Sequence, residues 1–173
     1  MVLQVIRSHG WAIEKILLTH GHFDHTGAVA TLSQRLGIPY YIYPADARYL
    51  ADPVLNLSGN FNRNEILLHP EFIHDGEEIR LAADDGFSLK AIHTPGHTPG
   101  SVTYYSAKNA VAFVGDTLYE HNVGLTEFPG GNRQDIEKSI VTKILSLPDN
   151  TILLSGHSSP ITVGEEKRLI LSF

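Results

Sequence analysis

The sequence predicts an α/β fold, because short apolar segments typical of strands alternate with segments of helical spacing along its 173 residues. The strand patterns are AIEKILLT, IPYYIYP, FSLKAIHT, SVTYYS, AVAFVG and TILLSG. The longest helical pattern, RQDIEKSIVTKILSL, is amphipathic and ends before Pro148. No repeat, linker or low-complexity segment interrupts the alternation, so we expect one domain over residues 1–173.

The first half of the chain is predicted to contain three helices, two strands and a long loop. VLQVIRS has helical spacing and stops at Gly10, AIEKILLT follows as a strand, and a helix over 27–36 is closed by Gly37. Pro44 suits the first position of the short helix ADARYLA, which follows the strand IPYYIYP. Residues 52–75 contain scattered Asn, Gly and Pro, and this composition predicts an irregular loop.

The second half is predicted to contain four strands, of which two neighbours pair, and two helices, the second of them short. SVTYYS and AVAFVG follow the turn-rich loop TPGHTPG and are expected to form the pair. TILLSG has the composition of a last buried strand, and TVGEEKRLI has that of a short helix.

Composition and charge exclude several classes of function. The formal net charge of −6 disfavours a nucleic-acid partner, since binding to phosphates depends on Lys and Arg. The chain has no cysteine, which excludes disulfides and thiolate metal sites. No apolar run has the length of a membrane span and no signal-peptide pattern is present, so we expect a cytoplasmic protein without a membrane partner. Histidine is unusually frequent, with ten residues against one Met and one Trp.

The segment LTHGHFDHTGA places three of these histidines and an aspartate within six residues. On a strand, residues two apart point to one face, so His20 and His22 are expected to address a single point, with Gly21 allowing a close approach. Asp24 and His25 fall on the turn into the next helix and would address a second point nearby. Imidazole nitrogen and carboxylate oxygen are ligands of zinc, so the motif predicts a metal site rather than histidines that are close by chance.

Three further loops indicate more than one metal ion. His97 lies in HTPGHTPGS, Asp116 in FVGDTL and His157 in LLSGHSSP, each at or beyond the end of a predicted strand. Ligands gather at the carboxyl ends of strands in open α/β sheets. A lone Gly-Asp or Gly-His pair is weak evidence, but together with the first motif these donors predict an extended metal centre.

The stretches THGHFDHTG, HTPGHTPGS, GDTL and GH, in this order, resemble those of the metallo-β-lactamase fold hydrolases. The resemblance is closest to a short form of the glyoxalase II, or hydroxyacylglutathione hydrolase, type, and FPGGN and TVGEEKR add to it. It covers the chain from Ile13 onward and implies an αββα four-layer sandwich. Members of this superfamily carry strands before the helix that precedes the first motif, so we expect the first strands of one sheet to be missing and the N-terminus to be shortened.

The same resemblance implies a two-metal centre. It implies that a first ion is held by His20, His22 and His97, a second by Asp24, His25 and His157, and that Asp116 bridges both. The expected cofactor is a pair of divalent ions, zinc in the first place, with iron or manganese as alternatives. The pair would turn a shared water into a hydroxide that attacks an ester or thioester carbonyl, and Asp24 would also orient it as a catalytic residue. His93 is expected at a strand end, and His9, His69, His74 and His121 are expected to be ordinary histidines.

The substrate region differs from that of glutathione-specific relatives. Residues 117–132 contain no Lys or Arg, and Tyr119 remains as a possible substrate contact. A doubly carboxylated glutathione would meet Glu120 and Glu127 there. We therefore expect a small-molecule thioester or ester substrate without a requirement for glutathione, and the sequence leaves the acyl group and the oligomeric state open.

Other members of the superfamily supply the alternative functions. β-Lactamases of this fold usually lack an aspartate at the position of Asp116 and are exported, and RNA-cleaving members carry an inserted domain and basic surfaces. A sulfur dioxygenase would use a single iron held by the first group of ligands. A non-catalytic fragment that retains the motif by descent is the remaining alternative.

Overall fold

The computed structural model describes residues 2–84 and 86–170. The helices are α1 (Val2–His9), α2 (Phe23–Thr26), α3 (Val29–Leu36), α4 (Ala47–Ala51), α5 (Arg133–Ser139) and α6 (Val163–Ile170). The strands are β1 (Ile16–Leu17), β2 (Tyr40–Ile42), β3 (Glu71–Phe72), β4 (Glu78–Arg80), β5 (Ser88–His93), β6 (Val102–Ser106), β7 (Val111–Phe113), β8 (Leu118–Tyr119), β9 (Asn122–Val123), β10 (Ile152–Leu154) and β11 (Ile161–Thr162).

The strands form two main sheets and one hairpin. A three-stranded sheet has the order β1-β2-β3 and is parallel throughout. A six-stranded sheet has the order β11-β10-β7-β6-β5-β4, and only the β10–β7 pair in it is parallel. The hairpin β8–β9 follows β7 and lies outside both sheets.

Alternating side chains of the sheets build a four-layer sandwich. On β6, Val102 and Tyr104 pack toward β1 and β2, whereas Tyr105 on the opposite face packs against α5. The outer face of the three-stranded sheet is covered by the helices that contribute Val29 and Leu50. The order of layers is therefore helix, sheet, sheet, helix, and the predicted αββα class is confirmed.

The two sheets differ in size, and the smaller one covers only part of the larger. Phe113 on β7 and Ile152 on β10 remain 43% and 40% exposed, although both belong to strands within the six-stranded sheet. Among the described residues, the smaller sheet has three strands and the larger has six.

Several predicted elements differ from the observed ones. The strand pattern AIEKILLT forms a strand only at Ile16–Leu17. Beyond the strand, the carbonyl oxygen of Thr19 accepts the N–H of Val102 on β6 at 2.8 Å. Helix α5 continues into a π-helical turn over Ile140–Ile144. The short strands β3, β4, β8, β9 and β11 were not predicted, since two or three residues give no readable periodicity. Among the described residues, no helix is long and apolar enough to cross a bilayer.

Candidate metal centre

The loop between β1 and α2 places the first two histidines. His20 and His22 lie beyond the end of the strand, so the expectation that they share one face of a strand is wrong. Their ring centroids are nevertheless 4.9 Å apart, and the rings are nearly perpendicular. The residues before them are held by hydrogen bonds from Leu18 N–H to Tyr41 O at 3.0 Å and from Val102 N–H to Thr19 O at 2.8 Å. Both histidines are almost fully buried, at 1% and 2% exposure.

His97 joins this pair from the loop between β5 and β6. Its Nε2 lies 2.9 Å from His22 Nδ1, and its ring centroid lies 4.8 Å from that of His20. His97 Nδ1 donates to the carbonyl oxygen of Leu125 at 2.7 Å. That hydrogen bond places the proton on Nδ1, so Nε2 keeps its lone pair and is available as a ligand.

The second group of donors begins on α2. Asp24 and His25 lie in this four-residue helix, and His157 approaches from the loop after β10. His157 Nε2 lies 2.8 Å from His25 Nε2 and 3.2 Å from Asp24 Oδ2. The three side chains thus point to one place, on the solvent side of the first group, and Asp24 and His157 are exposed.

Asp116 lies between the two groups. Its Oδ1 is 2.9 Å from His25 Nε2 and 3.5 Å from His157 Nε2, whereas its Oδ2 is 3.6 Å from His97 Nε2. The residue follows β7 in a tight turn at Gly115, whose φ of +50° suits glycine. One carboxylate oxygen therefore faces each group, which is the arrangement expected of a bridging ligand.

The donors form a cluster that fits divalent metal ions. Three sets of donor atoms each lie within 4.8 Å of one another: His20, His22 and His97; His20, His25 and Asp116; and Asp24, His25 and His157. Among the described residues, the buried Nε2 atoms of His20 and His22 have no hydrogen-bond partner. Buried polar atoms are normally paired, so the unpaired Nε2 of His20 fits direct binding of a metal ion, whereas His22 faces His97 through its Nδ1. A set of nitrogen and oxygen donors suits zinc, iron or manganese.

Burial and neighbouring charges set the protonation states in the protein without metal. Burial lowers the pKa of His22 to about 3 and that of His20 well below its ordinary value, with the neighbouring histidines acting in the same direction. Burial also lowers the pKa of His97. These three imidazoles are therefore neutral near pH 7, as ligation requires.

In the second group, the pKa of His25 shifts in the opposite direction, upward. Burial alone would lower the pKa of His25, but the contact with Asp116 and the charge of Asp24 raise it. Burial would likewise raise the pKa of Asp116, and His25 together with Tyr119 and His97 lowers it. The Asp116 carboxylate is thus held ionised.

Tyr119 lies at the edge of this cluster, on the hairpin strand β8. Its hydroxyl contacts Asp116, and burial together with this hydrogen bond raises the pKa of Tyr119. Its ring meets that of His157 edge to face, with the centroids 6.0 Å apart. The hairpin is anchored at its turn, where the buried Glu166 accepts the N–H of His121 at 2.8 Å.

Asp46 is a residue of the site that the sequence did not reveal. It is fully buried and accepts hydrogen bonds from Gly21 N–H, Thr98 Oγ1 and Gly100 N–H, at 3.0, 2.7 and 2.7 Å. Burial raises the pKa of Asp46, and these hydrogen bonds oppose the rise. The only signal in the sequence is an aspartate after the strand IPYYIYP, and this is indistinguishable from an ordinary helix-start residue.

The remaining histidines lie outside the cluster. His93 ends β5 as expected; its ring stacks on Tyr43 at 4.0 Å, and its Nε2 donates to Pro99 O at 2.8 Å. His9 stacks on Trp11 at the surface, and His121 lies at the hairpin turn. His93 therefore supports the loop that holds His97 without being a donor itself.

The family model of the metallo-beta-lactamase superfamily matches residues 3–157 of the chain. The chain is 35% identical over 170 residues to hydroxyacylglutathione hydrolase GloC of Haemophilus influenzae, covering 96% of this chain and 79% of that protein. It is 37% identical over 166 residues to the probable metallo-hydrolase YqgX of Bacillus subtilis, covering 95% and 77%.

Solved structures agree with these relatives. The BLEG-1 B3 metallo-beta-lactamase superimposes with a TM-score of 0.90 at 36% identity, covering 96% of this chain and 80% of that one. TTHA1623 in a di-iron-bound form superimposes with a TM-score of 0.85 at 32% identity, covering 96% and 81%.

Proposed function

Because the chain belongs to the metallo-beta-lactamase superfamily, we propose that it is a metal-dependent hydrolase of small thioesters or esters. The convergence of seven nitrogen and oxygen donors on one cluster, with Asp116 between its two halves, is the observation that carries this proposal. The similarity to a hydroxyacylglutathione hydrolase at 35% identity supports the choice of a thioester or ester bond.

The chain's own residues provide orientation, charge and access. A pair of divalent ions bound here would supply a water of lowered pKa as nucleophile and a positive charge for the developing oxyanion. Leu125 O fixes the tautomer of His97, so its Nε2 faces the cluster without rearrangement. Asp116 is kept ionised between the groups, and the exposed carboxylate of Asp24 lies where it can accept a proton from water or substrate.

The proposed substrate lacks a requirement for glutathione. Residues 117–132, which include the hairpin next to His157, contain no Lys or Arg to pair with glutathione carboxylates. Tyr119 is the proposed substrate contact, since its ring lies against His157 at the exposed group. Zinc is the proposed metal, and the di-iron form of TTHA1623 makes iron the first alternative.

Metal content and hydrolysis together test the proposal. Elemental analysis of gel-filtered protein grown with ample zinc and iron is expected to give about two ions per chain, with cleavage of a simple thioester. Cleavage of a glutathione thioester is expected at a comparable rate, and a hundredfold preference for it would contradict the proposed pocket. One iron per chain with persulfide oxidation would favour the dioxygenase alternative. Absence of metal under these conditions would favour a non-catalytic chain.

Hydrolysis of β-lactams is the second candidate, and the TM-score of 0.90 to a chain described as a B3 metallo-beta-lactamase favours it. A chromogenic cephalosporin assayed beside the thioester separates the two activities. We expect the thioester to be the better substrate, because Asp116 occupies a position at which β-lactamases of this fold usually have no aspartate. A higher kcat/KM for the cephalosporin would reverse this order.

A further inference from the structure

The segment 44–51, which comprises a 3₁₀ turn and α4, lies between the loops that present the first group of histidines. Its Asp46 bonds to both of them. Asp46 Oδ2 accepts Gly21 N–H, between His20 and His22, and Asp46 Oδ1 accepts Gly100 N–H, three residues after His97. One carboxylate therefore connects the backbone of two loops that are far apart in sequence.

Thr98 adds a third hydrogen bond to Asp46. Its hydroxyl donates to Asp46 Oδ2 at 2.7 Å and lies 2.8 Å from Ser101 Oγ, which in turn accepts Thr98 N–H at 3.1 Å. All of these groups are buried. A buried carboxylate with three donors is strongly coupled to their positions, because each donor that it loses costs the full desolvation of an unpaired group.

The backbone of both loops packs closely against the segment. A Cβ added to Gly100 would lie 2.6 Å from Asp46 Oδ1, and one added to Gly21 would lie 2.4 Å from Tyr49 Cβ. Tyr49 also donates its hydroxyl to Pro129 O at 2.5 Å, in the same stretch whose Leu125 O orients His97. The segment thus contacts all three stretches of chain around the first group.

The second group has no such connection to Asp46. Asp24 and His25 lie on α2, and His157 lies after β10, where Ser155 Oγ accepts His157 N–H at 3.2 Å. None of the hydrogen bonds of Asp46 reaches these residues. A change at Asp46 is therefore expected to affect one half of the cluster selectively.

We propose that Asp46 is a positioning residue that holds the His20–His22 loop and the His97 loop in register and thereby sets the metal affinity of the first group alone. The inference rests on the proposed metal centre and adds a residue that determines metal binding at the first group without being a ligand itself. Outer partners of metal ligands typically account for roughly 10–100-fold in affinity, and Asp46 acts one step further out, through the ligand-bearing backbone.

The test uses the near-isosteric Asp46→Asn in two backgrounds. In His157→Ala the second group is disabled, and in His22→Ala the first group is disabled, so each reports one half of the cluster. Zn²⁺ affinity of the metal-free proteins is measured against a competing chelator. Asp46→Asn is expected to weaken binding at least about tenfold in the His157→Ala background and less than about twofold in the His22→Ala background. Equal weakening in both backgrounds would overturn the proposal.

Milder variants keep the test usable if Asp46→Asn folds poorly. Thr98→Val removes one donor to Asp46 at nearly constant volume and is expected to weaken the first group, whereas Thr98→Ser retains the hydroxyl and is expected to restore the affinity. Failure of Thr98→Ser to restore it would contradict a role for the hydroxyl bond.

A matched control separates positioning from general destabilisation. Glu166 is also a buried carboxylate that accepts a backbone N–H, but it anchors the β8–β9 hairpin. Glu166→Gln is expected to lower the unfolding temperature without changing Zn²⁺ affinity in the His157→Ala background. An equal loss of affinity in Glu166→Gln would overturn the proposal. Absence of Zn²⁺ binding in the wild-type protein would instead overturn the proposed function itself, and with it this inference.

Discussion

The two halves of the donor cluster differ in how the protein surrounds them. His20, His22 and His97 are at most 2% exposed, whereas the side chains of Asp24 and His157 are 41% and 43% exposed. The first group is enclosed by three stretches of chain tied to segment 44–51. The second group lies on a short helix and a surface loop.

This difference in burial bears on what each half would do in the proposed hydrolase. Burial keeps the first three imidazoles neutral and fixes their geometry, so little reorganisation accompanies ligation. The second half is open to solvent instead. The proposed hydrolysis requires such access, because substrate and water must reach the reacting atoms. Asp116 belongs to both halves and is the point at which they are joined.

The largest expected effect comes from removing that shared residue. Asp116→Ala is expected to lose at least one metal ion per chain and to lower thioester hydrolysis on the order of 100-fold or more, since metal charge contributes several kcal/mol to the transition state. Elemental analysis and kcat/KM measure the two losses. Unchanged metal content would contradict the position of Asp116 as a bridge.

The next test compares one ligand from each half. His22→Ala leaves a buried, unfilled position, and we expect a loss of zinc affinity greater than the roughly 10–100-fold that an outer partner contributes. His157→Ala is expected to cost less at the tightest zinc site, because the buried first group keeps all three of its imidazoles. Chelator competition on both variants gives the ranking. A larger loss in His157→Ala would show that exposure does not weaken the second half.

A smaller effect is expected on the stability of the metal-free protein. Gly100→Ala would place a Cβ 2.6 Å from Asp46 Oδ1 and is expected to lower the free energy of unfolding by about 1–3 kcal/mol. Urea denaturation measures it. In the control Gly164→Ala, the atoms nearest to the added Cβ belong to Asp149 and lie at 3.1 Å or more, and a smaller destabilisation is expected. Equal losses in the two variants would show that the loops around Asp46 are looser than their packing indicates.

The smallest effect is expected at the edge of the exposed half. Tyr119→Phe removes the hydroxyl that contacts Asp116 but keeps the ring against His157. One hydrogen bond contributes about 0.5–1.5 kcal/mol, so we expect a fall in kcat/KM of roughly threefold to tenfold at unchanged metal content. Loss of a metal ion in this variant would move Tyr119 from substrate contact to support of the metal centre.

Short-range sequence patterns were sufficient to predict the fold class and to single out the candidate donors. The α/β class followed from alternating periodicities, and the seven donors were found because each lies beside glycine, proline or another donor within a few residues. Sequence also located the donors near strand ends, and His20, His97, Asp116 and His157 all follow strands in the structure. The interpretation failed in detail for His20 and His22, which lie in a loop and not on a strand.

What the sequence indicated by itself was therefore the fold class and a set of nitrogen and oxygen donors suited to metal ions, since ligand type and local spacing are properties of single segments. The tertiary structure alone decided that the donors form a buried and an exposed half, that Asp116 faces both, and that Asp46 ties two of the loops together. Asp46 binds Gly21 and Gly100 across 25 and 54 residues of chain. No local pattern records such bonds, because they exist only when folding buries the carboxylate and leaves those N–H groups as its available donors.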